Sequence, residues 1–71
     1  MSESEISSKA RYVFNKMVKG GFARHVYEAW YEGITFMIKE HDTEKASKEV
    51  ERMLQEVNYR ESLARRNNRD V

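Results

Sequence analysis

Cysteine and proline are both absent from this 71-residue chain, glycine occurs only three times and tryptophan once. Without cysteine there is no disulfide and no thiolate metal site. Without proline, and with glycines only at Gly20, Gly21 and Gly33, little interrupts a helix. No strand-like run is bounded by turn residues. The longest apolar run, from Gly33 to Ile38, is far too short to cross a bilayer. Charge of one sign is missing as well. Thirteen Lys and Arg face twelve Asp and Glu, for a formal charge of +1, which is not the strongly basic balance of an electrostatic nucleic-acid binder. The opening Met-Ser-Glu-Ser-Glu lacks the basic-then-apolar layout of a signal peptide. The expectation is a cytoplasmic protein with no membrane partner.

What remains is rich in helix formers, and the fold class expected is all-α: a three-helix bundle with helices over about 3–19, 22–40 and 43–66. Residues 1–66 read as a single helical domain, and 67–71 as a disordered basic tail. In the first helix, Ile6, Ala10, Val13, Phe14, Met17 and Val18 recur at helical spacing. Ser2 or Ser4 caps its start, Glu3 and Glu5 suit the positive end of its dipole, and Gly20-Gly21 stops it. In the third, Asp42 or Thr43 is the cap, and Ala46, Val50, Met53, Leu54 and Val57 form a narrow stripe. Past Val57 that stripe weakens to Ala64 alone, with Tyr59 and Leu63 on the opposite side, so the helix either ends or kinks near Asn58 or runs on and exposes a small second patch.

The second helix is over-supplied with apolar residues. At 100° per residue, Phe36, Ala29, Phe22, Gly33, Val26, Met37, Trp30, Ala23, Ile34, Tyr27, Ile38 and Tyr31 follow one another around an arc of roughly 220°, where a surface helix needs only ~100°. The middle helix is therefore expected to be the most buried, sandwiched by the other two. The surplus band is assigned to Tyr27, Tyr31, Phe36 and Ile38, with Tyr59 and Leu63 as a secondary patch. A domain this small rarely builds a sufficient core alone, and without disulfides the compensation left is association. The function expected is that of a small non-catalytic protein-binding module (regulator, inhibitor or adaptor), self-associating as a homodimer through the aromatic-rich face of the second helix.

A second reading is a small nucleic-acid-binding protein. Lys9, Tyr12, Lys16 and Lys19 lie along the outward side of the first helix, and Arg65, Arg66 and Arg69 near the end of the chain. Cations interleaved with a tyrosine suit phosphates and a stacked base. The pattern argues against a helix-turn-helix, whose second helix must be free to enter a groove. No catalytic motif is present. His25 with Glu28, and Glu40-His41-Asp42, read as solvated polar groups and not as metal ligands. No cofactor and no small-molecule ligand is expected.

Overall fold

The structure, a computed structural model, describes residues 2–69, and of 67–69 the backbone alone. Three helices follow in order, α1 (Glu3–Lys19), α2 (Arg24–Lys39) and α3 (Thr43–Arg69), and each packs on the other two. This is the all-α three-helix bundle expected.

The ends of the helices are set by local chemistry. Ser2 is the cap of α1, its hydroxyl accepting from the Glu5 amide at 3.2 Å. At the other end the Gly21 amide donates to Val18 O (3.3 Å) and the Phe22 amide to Met17 O (3.1 Å). That is a Schellman stop, with Gly21 supplying the left-handed residue at φ 80°. The same device ends α2: the His41 amide donates to Ile38 O and the Asp42 amide to Met37 O. Here the left-handed position is held by His41 at φ 61°, a residue that pays a steric cost glycine would avoid. Asp42 then caps α3 through its carboxylate, which accepts from the Lys45 amide. One residue thus closes α2 and opens α3, which keeps this turn short. The first residues of the expected second helix, Phe22 and Ala23, belong instead to the turn and the cap position.

The core is Ile6, Ala10, Val13 and Met17 from α1, Ala46, Val50, Met53 and Val57 from α3, and Ile34 from α2. The expectation that the middle helix is the most buried is corrected by this list, since α2 supplies a single fully buried side chain. The reason is size. Ala10 and Val13 on α1, and Ala46 and Val50 on α3, are small enough for these two helices to meet directly, and theirs is the most extensive interface. α2 lies over their seam and pushes only Ile34 fully into it. Its large rings, Tyr27, Trp30 and Tyr31, splay to either side and remain half-buried.

On the α1 side, Phe14 meets Tyr27 edge-on at 5.2 Å and Tyr31 at 4.9 Å. On the α3 side, the Trp30 indole N–H donates to Glu49 at 3.1 Å. Glu49 also accepts from Arg52, through Nη2 at 2.5 Å and Nε at 3.0 Å. The Arg52 guanidinium, opposed by partial burial and aided by the indole, holds the Glu49 carboxyl below the usual carboxylate range. A depressed carboxylate contributes stability at neutral pH that is lost as the pH falls below about 4.5. The pair is near the surface, so its share is a few tenths of a kcal/mol, up to about 1. Thermal melts from pH 7 to pH 3 should show a fall in Tm that is shallower in the Glu49→Gln variant.

α3 runs through Asn58 without a break. Lys9 pairs with Glu51, and Lys16 with Asn58 and Glu61, so the end of α1 lies level with about residue 61 of α3. The last two turns of α3, roughly 12 Å at 1.5 Å per residue, project beyond the bundle. They account for the elongated shape, 47 × 24 × 15 Å.

Candidate functional site

The six residues proposed for protein contact do not form one surface. Tyr27, Tyr31 and Ile38 are half-buried and pack against the core. Tyr27 and Tyr31 face α1 through Phe14. Phe36 is 63% exposed, as is Tyr59, and Leu63 is 39% exposed. On the α2 wheel, Tyr27, Ile38 and Tyr31 lie on one side of the buried Ile34, and Phe36 lies far round on the other.

The surplus apolar side of α2 is real, but it is a different one. It runs through Val26, Ala29, Gly33 and Phe36, beyond the flank of Trp30 and Met37 that meets α3. Val26 is 39% exposed and Ala29 is exposed. A methyl group built on Gly33 would meet nothing within 4 Å, so nothing inside the monomer requires glycine there. Glycine in a helix interior costs about 0.5–1 kcal/mol against alanine. The sequence assigns the surplus to Tyr27, Tyr31, Phe36 and Ile38, which lie at both ends of the arc. Which end of the arc stays in solvent depended on where α1 lies, and α1 covers the tyrosine end.

A second feature lies on the opposite side of the bundle, between α1 and α3. Tyr12, Lys16 and Lys19 of the expected basic strip line a groove of about 560 Å³, joined by Arg60 and Glu61 from α3 over an apolar floor of Val57 and Ala64. The Lys16 ammonium is 3.2 Å from Glu61, 3.3 Å from the Asn58 side chain and 5.4 Å from the centre of the Tyr12 ring. Its pKa is raised, by the Glu61 carboxylate first and by Tyr12 next, which holds it protonated. Arg60 lies 4.3 Å over the Phe22 ring and 3.3 Å from Glu56. Lys9 is apart from the groove, paired with Glu51. Arg65 and Arg66 are exposed on the projecting turns of α3, and the side chain of Arg69 lies outside the described residues.

The fold also sorts the charges by end. Cut at the level of the Lys9–Glu51 pair, the half made of residues 11–29 and 52–69 holds nine Lys and Arg against three Glu. The half made of residues 2–10 and 30–51 holds four Lys against eight Asp and Glu. Near-neutrality of the whole chain thus conceals a basic end and an acidic end.

No family model, curated protein or solved structure matches this chain.

Metal-ligand geometry is equally sparse. Among the described residues no group of three or more His, Asp or Glu is placed to hold an ion. Glu28 is 2.7 Å from Arg24, and His41 Nδ1 is 3.0 Å from Glu3. No helix among the described residues is long and apolar enough to cross a membrane.

Proposed function

We propose that this chain is a non-catalytic helical module that associates with a second copy of itself through the outer side of α2. The observation that carries the reading is the exposed pair Val26 and Phe36, set on either side of the small residues Ala29 and Gly33. These four positions are symmetric about residue 31. Two antiparallel α2 helices therefore set Val26 of one copy against Phe36 of the other, and Ala29 against Gly33. This is the self-complementary arrangement of a twofold interface. Antiparallel alignment also lays the basic end of each copy beside the acidic end of the other, so charge favours that orientation over the parallel one. The unexplained glycine fits too, because a bare backbone lets another helix approach closely.

Sedimentation equilibrium across protein concentration tests this. The wild-type chain should dimerise, more tightly at low salt. Phe36→Glu should leave helicity intact, since the ring is mostly in solvent. Each buried ring contributes about 1–2 kcal/mol and the twofold counts it twice, so dimerisation should weaken by at least roughly thirtyfold. Gly33→Ala should weaken it as well while making the monomer more stable. A wild-type chain that remains monomeric at every concentration, or a Phe36→Glu variant that dimerises as well as wild type, refutes the proposal.

A further inference from the structure

We infer that the groove between α1 and the projecting end of α3 binds single-stranded nucleic acid. This rests on a different face from the proposed dimer contact, on the far side of the bundle from the outer surface of α2, so both can be used at once.

The groove has the size of a site for a nucleotide unit, about 560 Å³ within the usual range for ligand pockets. Its parts suit that chemistry. Val57 and Ala64 make an apolar floor, and the Tyr12 ring, 54% exposed, stands at the rim where an unpaired base can stack on it. Two helices contribute cations: Lys16 and Lys19 from α1, Arg60 from α3. Lys16 is paired with Glu61 and Arg60 with Glu56, while Lys19 has no ion-pair partner among the described residues. The last carbonyls of α1 do not compete for these cations. Those of Lys16, Met17 and Val18 already accept the amides of Gly20, Phe22 and Gly21.

The track does not stop at the groove. Arg65 lies one turn beyond Glu61 on the same side of α3, and from Ser62 to Arg69 the helix carries three arginines and no acidic residue. A backbone seated at Lys19 and Arg60 can therefore continue along the projecting turns. A duplex fits less well, since its bases are closed to Tyr12 and the free part of α3 is only about two turns long. An acidic peptide would satisfy the cations but would leave the exposed ring and apolar floor without a planar partner.

The test uses the full chain and a fluorescein-labelled twelve-residue oligodeoxythymidine, followed by anisotropy from 25 to 300 mM NaCl. The result expected is binding that weakens with salt, with a log–log slope of about −2 to −3 for three or four neutralised phosphates. Lys19→Ala with Arg65→Ala removes two exposed side chains that no fold contact uses. It should flatten the slope by about 1.4 and weaken binding at least tenfold at low salt. Tyr12→Ala should weaken binding roughly tenfold with the slope unchanged, a separation that a purely electrostatic surface would not give. Phe36→Glu should bind as wild type does, which keeps this site distinct from the dimer contact. No binding at 25 mM NaCl overturns the inference. So does insensitivity to Tyr12→Ala, equal binding of a duplex of the same length, or equal binding of a poly-glutamate peptide.

Discussion

Ile34→Ala is expected to lower the stability of the protein by about 2–4 kcal/mol, enough to leave much of it unfolded near physiological temperature. Ile34 is 1% exposed and is the only side chain that α2 drives fully into the seam between α1 and α3. Truncating it leaves a cavity in the core cluster that Ile34 shares with fully buried side chains of both α1 and α3. A chain of this size has few other buried contacts to compensate. In a thermal melt followed by circular dichroism, Tm should fall by at least about 10 °C. The neighbouring change makes the control. Gly33→Ala alters the adjacent residue, meets open space, and should raise stability by roughly 0.5–1 kcal/mol. If Ile34→Ala melts like wild type, Ile34 is not the anchor of α2 and the described core is wrong.

The double variant Tyr31→Ser with Ile38→Ser is expected to unfold the chain. Both side chains pack against the core, and Tyr31 also holds one side of the Phe14 ring. Removing both takes away most of what joins α2 to α1 beyond Ile34, at about 1.5–3 kcal/mol for each side chain if fully buried. Since both are half-buried, the lower end applies, and the combined loss approaches what a small core supplies. Far-UV circular dichroism and a urea titration check it. Retained helicity with lost association would return these residues to the interface that the sequence suggested, and would remove Phe36 from its central place.

Much of this architecture follows from local chemistry and is legible in the residues. Ser2 and Asp42 announce helix starts because their short acceptors reach the amide three residues on. Gly20-Gly21 announces a stop because only glycine enters the left-handed region without cost. The stop at His41 was less visible, since histidine does not advertise a left-handed position. The stripes of α1 and α3 are legible because each is narrow and its period is unambiguous: Ile6, Ala10, Val13 and Met17 on one, Ala46, Val50, Met53 and Val57 on the other. The continuation of α3 past Asn58 was harder to read. Its apolar stripe ends where its packing partners end, while helix propensity and the pair Arg60–Glu56 carry the backbone onward.

By itself the sequence determined three helices, their caps, the two narrow core faces, and the fact that α2 has more apolar surface than a three-helix bundle can cover. Those are properties of one segment at a time, fixed by spacing and by capping chemistry. Only the tertiary structure decided which part of α2 is left over. A wide apolar arc can be covered from either end, and the choice rests on the direct approach of α1 and α3 through their small residues. That approach leaves α2 above the seam, puts Tyr27, Tyr31 and Ile38 against the core, and leaves Val26 and Phe36 in water. The parallel packing of α1 and α3 also gathered Lys16, Lys19 and Arg60 around Tyr12, and the up-down-up order of the helices separated a basic end from an acidic one. Residues more than forty positions apart became neighbours there, which no local pattern encodes.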